Sequence, residues 1–194
     1  MESNFMKKAV LTFLTIIVSV LFASSNAVAQ KQKREYIQAN AFGTSTQLGR
    51  LVSVDIILEE FSTANDKAAL IEAFKADGSE GLANALEKMS AKGRIRITGT
   101  LGYDLNYVRS FNMPDGSRLI RFVTDRPVTL GEVWASTRSR DYQISIGEII
   151  IRKEKGKSTG KIFPASLVKL NKDNEIEIET FNNPWDLKNI KLSH

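Results

Sequence analysis

The chain has no cysteine, and its only histidine is His194, the last of 194 residues. Each absence removes a class of chemistry. Without cysteine there are no disulfides, iron–sulfur clusters or thiol nucleophiles. Without an internal histidine the chain lacks the usual general base of serine and cysteine hydrolases. A terminal residue frays too readily to hold catalytic geometry. A Ser-His-Asp hydrolase and a His/Cys zinc site are therefore excluded. The stretch Asn171-Lys172-Asp173-Asn174-Glu175 is too short for a calcium loop and lacks its glycine. No metal or other cofactor is expected. Carboxylate, tyrosine, lysine and arginine chemistry remains, and the balance leans away from an enzyme.

Long apolar runs are also missing, with one exception. Ala9 to Ala23 is apolar except for Thr12, Thr15 and Ser19. Lys7 and Lys8 precede it, and Ser24-Ser25-Asn26 and Ala27-Val28-Ala29 follow. A charged start, a short apolar run and a small-x-small site are the parts of a secretory signal peptide. Residues 1–29 are therefore expected to be cleaved, giving a periplasmic or secreted protein. The alternative, a retained anchor, needs about 20 apolar residues and tolerates hydroxyls poorly. With no cysteine after the run, the protein is not a lipoprotein. Beyond it no transmembrane segment is expected.

Without residues 1–29, 165 residues remain, enough to bury a core without disulfide staples. Leaving out Lys7, Lys8 and Glu2 takes 27 basic and 22 acidic residues to 25 and 21, a formal charge of +4. For an exported chain this points to anionic envelope polymers or lipid head groups rather than nucleic acid. A solvated surface with a modest excess of lysine accounts for it more simply. Residues 30–47 read as a basic tail, Lys31-Gln32-Lys33-Arg34, and a first strand. Residues 48–194 read as one globular domain.

Within that domain Leu48, Val52, Val54, Ile56 and Leu58 follow the period of two of a half-buried strand. Thr63-x-x-Asp66 then opens a helix in the manner of a capping box, with Asp in place of the usual Glu. Leu70, Ile71 and Phe74 form its stripe, up to Gly78. Ser79 caps a second stripe of Leu82, Ala85, Leu86 and Met89, closed by Gly93. This predicts a helical hairpin over about 63–92. Ile95, Ile97, Leu101, Tyr103, Leu105 and Tyr107 alternate with polar neighbours, which predicts one long strand bent at Gly99 and Gly102. Pro114-Asp115-Gly116 predicts a turn between strands at 103–113 and 117–125.

Thr129 to Trp134 reads as a short helix, and Tyr142 to Ile151 as a strand. Lys153 to Lys161 reads as a hairpin loop. Strands at 161–170, 175–179 and about 187–192 follow, with Pro164 marking an edge or bulge. The order is ββ-αα-ββ-(α)-ββββ, without the βαβ alternation of a parallel sheet. It predicts an α+β, mostly β, fold: a curved antiparallel sheet of about eight strands, barrel-like or sandwiched, with an inserted helical hairpin.

Three places carry candidate chemistry. Alternation sends Tyr103 and Tyr107 to one face, where they either line a pocket or fill the core, and Asp104 to the other. Asp125 and Arg126 either form a corner or, with Asp104 nearby, place two carboxylates in one cleft, as glycoside hydrolysis requires. Trp185 either stacks on a ligand or caps the core. The arginines of Arg138-Ser139-Arg140-Asp141 either grip an anion or stay solvated.

The stretches Gly99-Thr-Leu-Gly-Tyr-Asp-Leu-Asn-Tyr107, Val123-Thr-Asp-Arg-Pro-Val128 and Ile176-Glu-Ile-Glu-Thr-Phe181 resemble a group of bacterial exported proteins with no assigned function. That resemblance covers roughly residues 48–192 and implies no activity or site. The reading that results is a non-enzymatic exported domain binding a small or lipid-like ligand or an envelope component. The alternatives are a carboxylate-dependent hydrolase using Asp104 and Asp125, and an interaction module that uses the helical hairpin.

Overall fold

The alternating segments become ten strands that pair only in the antiparallel sense. The computed structural model describes residues 34–130, 142–154, 156–170, 176–181 and 183–193. In chain order the strands are β1 (Glu35–Gly43), β2 (Leu51–Leu58), β3 (Gly93–Ile97), β4 (Tyr103–Leu105) and β5 (Tyr107–Asn112). Then come β6 (Arg118–Val123), β7 (Ile144–Ile151), β8 (Thr159–Leu170), β9 (Ile176–Thr180) and β10 (Trp185–Ser193). One helix, α1 (Ala64–Lys88), lies between β2 and β3.

The spatial order is β4-β3-β2-β1-β10-β8-β7-β6-β5, with β9 added to β8. Its two end strands, β4 and β5, are separated in sequence only by Asn106. The sheet therefore curls until its edges share one chain segment, giving a nearly closed barrel. At the junction the Asn106 amide donates to the Val123 carbonyl at 3.0 Å, and the Lys92 amide to Leu105 at 2.7 Å. A single stretch of chain thus serves both edges, changing from one strand to the next at Asn106.

The barrel interior holds Ile37, Val54, Ile56, Ile95, Leu105, Val108, Phe122, Ile149, Ile162 and Trp185. Cross-strand partners Phe122 and Gly147 fit closely: a Cβ on Gly147 would lie 1.9 Å from the Phe122 ring. Glu35 and Arg118 close one region of this interior with a two-pronged ion pair, one contact being 3.0 Å. In β10 the period of two slips between Leu187 and Ile190, both buried. Asn189, at φ 55°, takes up the extra residue, and the β1–β10 register shifts at Gln38/Asn40.

Several expectations change. The long bent strand is a hairpin of β3 and β4, with Ile95 opposite Tyr103. Gly99 and Gly102, at φ 89° and 80°, build its turn. A Cβ on Gly102 would lie 2.3 Å from the Ile95 carbonyl oxygen. Both arms show the same face to the core, so the alternation runs unbroken through the turn. Leu48 does not begin a strand; it stands 83 % exposed between β1 and β2. β1 itself is central, hydrogen-bonded to β2 and β10, although it precedes the boundary expected at Leu48. The strand count is ten rather than about eight among the described residues. The Pro114–Gly116 turn lies where the sequence places it; the loop joining β7 to β8 is shorter than expected, because residues 159–161 already belong to β8.

The sequence separates two helices; the structure holds one element, α1. Its backbone leaves helical geometry at Asp77 and Gly78, Gly78 lying at φ 58°, ψ −139°. A Cβ on Gly81 would lie 2.3 Å from the carbonyl oxygen of Ala73, eight residues earlier. In an unbroken helix eight residues advance about 12 Å, so the axis turns sharply here. The start is fixed by the capping box: the Asp66 amide donates to Thr63 Oγ1 at 3.2 Å, and the Thr63 amide to Asp66 Oδ2 at 2.7 Å. No described helix is long and apolar enough to cross a membrane. The expected signal peptide, the Lys31–Lys33 part of the basic tail, the rest of the helix beyond Leu130, Arg138–Asp141, the turn at 171–174 and His194 lie outside the described residues.

Candidate functional site

Asn106 decides which way its neighbours face. Leu105 and Val108 are both buried in the barrel interior although three residues apart. The junction therefore shifts the alternation by one. Tyr103 packs against the interior, where its hydroxyl accepts the Thr129 amide at 3.2 Å. Tyr107 points to the opposite, outer face and packs against a second apolar cluster. The two tyrosines expected on one face are on different sides of the sheet.

That second cluster lies between α1 and the outer face of β5–β8. From the helix it takes Leu70, Leu82, Ala83, Leu86 and Met89. From the sheet it takes Tyr107, Val123, Ile144, Ile146 and Val168. The helix does not fill the space above the strands. A cavity of about 610 Å³ remains, roofed by Leu70, Phe74, Leu82 and Leu86 and floored by the same sheet residues. Ile71 and Leu170 also line it, 42 % and 49 % exposed. Among the described residues its charged lining side chains are Lys67 and Lys75. Volumes of about 300–1,000 Å³ with mainly apolar walls are those of small-molecule sites. Three other clefts among the described residues hold about 260–380 Å³ and are lined mainly by polar or charged side chains.

Hydrogen bonds pin this roof at three places. The Ser62 amide donates to the Val108 carbonyl at 2.8 Å, and the Val108 amide to Ser62 Oγ at 2.9 Å. Past the break, Ser79 Oγ accepts the Val168 amide at 3.2 Å. Near the far end, Asn106 Nδ2 reaches the Met89 carbonyl at 3.5 Å. The break at Asp77–Gly78 lets both halves of α1 lean over the same floor.

The carboxylates are otherwise engaged. Asp104 sits on the surface beside its cross-strand partner Arg94, 2.8 Å away. Asp125, its side chain only 5 % exposed, takes two hydrogen bonds from Arg126 at 3.1 and 2.8 Å. Its amide donates to Asn106 Oδ1 at 3.1 Å, which fixes the corner. The Arg126 guanidinium is held above its ordinary pKa, first by the hydrogen bond and then by the charge of Asp125; Asp104 and Glu87 add less. Each acid thus has its own arginine, an arrangement that neutralises charge at a corner. Trp185 is fully buried in the barrel interior, where it fills the core.

Of the six candidate residues only Tyr107 lines the large cavity. The signal for the rest was present in the sequence. Ile144 and Ile146 have one parity and Ile149 and Ile151 the other, so β7 offers apolar groups to both faces. A strand apolar on both faces is covered on both faces. Here the second cover is α1. No family model, curated protein or solved structure matches this chain.

Proposed function

We propose that this chain is a non-enzymatic exported domain that binds a small, lipid-like ligand between α1 and the outer face of β5–β8. One observation carries the reading: a helix spans the sheet yet leaves about 610 Å³ of apolar space beneath it. Interiors normally close to near-crystalline density, because each lost contact costs dispersion energy. The apolar walls of this open groove lack those contacts until a ligand supplies them. Export, read from residues 1–29, puts the domain among envelope lipids and their fragments. The paired arginines at Asp104 and Asp125 favour binding over carboxylate catalysis, which needs two acids open to one substrate.

Native mass spectrometry of the full chain, purified from its own host, tests this reading. A discrete mass above the denatured value, lost on extraction with organic solvent, is the expected result. A native mass equal to the denatured one, unchanged after incubation with amphiphiles, would overturn it. A mass excess that proves to be a protein would favour the interaction module instead.

A further inference from the structure

We infer that the ligand is a single-chain amphiphile with an anionic head, its tail under α1 and its head between Lys67 and Lys75. This rests on the binding reading above and adds the chemistry of the head group. The walls of the cavity are apolar, and among the described lining residues the charges are two lysines. Lys67, Ile71, Phe74 and Lys75 recur at the spacing of one helix face, so the lysines flank the apolar stripe. Both line the cavity, their backbone positions about 12 Å apart along the helix.

Lys67 has no acidic partner within ion-pair distance among the described residues. Lys75 meets Glu72 at 3.1 Å, but both side chains are about 70 % exposed, at 67 % and 72 %. Exposed pairs of this kind are worth a few tenths of a kcal/mol and yield to a better-placed anion. Lysine also suits the geometry: its aliphatic stem lies along apolar surface while its charge reaches water. An uncharged lipid would use the floor and leave Lys67 without a counter-charge. An anionic head supplies it.

Carboxylate and phosphate heads share this chemistry. The experiment is displacement of Nile red from the full chain at pH 7 by decanoate, decan-1-ol and decyl phosphate. The expected result is displacement by the anions at concentrations about two- to fivefold lower than by decanol, the weight of exposed ion pairs. The order of decanoate and decyl phosphate then identifies which head the site prefers. In K67Q/K75Q the anions lose their advantage over decanol. Equal displacement by acid and alcohol in the wild type overturns the anionic head and leaves the groove reading standing. A preference that persists in K67Q/K75Q overturns the role of the lysines. Failure of Nile red and every amphiphile to bind removes the groove reading and this inference together.

Discussion

Tyr103 and Tyr107 are four residues apart on consecutive strands joined by Asn106 alone, yet one packs into the barrel and the other against the helix outside it. Period-two alternation puts such a pair on one face. The reversal is made at Asn106, whose amide serves Val123 while its side chain holds Asp125 and Met89. Closing the barrel and opening the groove are therefore one structural event.

Asn106→Ala is expected to cost about 1–3 kcal/mol, because the Asp125 amide loses its acceptor where the barrel closes. Urea unfolding measures this. Tyr103→Phe, which removes only the acceptor for the Thr129 amide, should cost about 1 kcal/mol and leave amphiphile binding unchanged.

Gly78 sits at φ 58°, ψ −139°, a conformation that side chains resist. Gly78→Ala should destabilise the fold by about 1–3 kcal/mol through backbone strain, with open space around the new methyl. Gly49→Ala, also at positive φ in open space but away from α1, separates strain from position. Its stability loss should leave amphiphile affinity intact, whereas Gly78→Ala should alter it.

The ion pair of Glu35 and Arg118 joins strands that are not neighbours, from inside the barrel. Glu35→Gln leaves the guanidinium without its counter-charge and should cost about 2–3 kcal/mol. The double variant Glu35→Leu with Arg118→Met should recover most of that loss, since a matched apolar pair has no desolvation to offset. Thermal unfolding of the three proteins decides it.

The Asp66 carboxyl is held below its ordinary value of 3.8, chiefly by the Thr63 backbone amide; burial opposes this, and the Thr63 hydroxyl and the charge of Lys92 add to it. The folded state therefore binds this proton less readily than the unfolded chain. Its contribution is complete above the unfolded value and fades as pH falls through the lower, folded one. Asp66→Asn should cost about 1 kcal/mol at pH 7, the weight of a cap. The gap between wild type and variant should narrow in acid, as chemical denaturation at a series of pH values would show.

Much of the fold was legible because its signals are local. The Thr63–Asp66 cap, the Pro114–Gly116 turn and the alternation of β7 each depend on a few adjacent residues. The β3–β4 turn was not, because Gly99 and Gly102 interrupt a pattern whose phase is the same on both sides. Bend and turn leave the same trace there; only pairing Ile95 with Tyr103 separates them. The groove was hidden for a different reason. Leu70 and Leu86 read as ordinary core residues, and whether a helix fills the space beneath it depends on its distance from the sheet. That distance is set by Ser62, Ser79 and Asn106, three polar contacts far apart in sequence.

The most direct test of the central claim is methyl NMR of the full chain during titration with decanoate. Saturable shifts are predicted for Leu70, Leu86, Ile144, Ile146 and Val168, while the interior methyls Ile56 and Ile95 stay in place. Shifts at the barrel interior or on the opposite face instead, or none at saturating ligand, would contradict it.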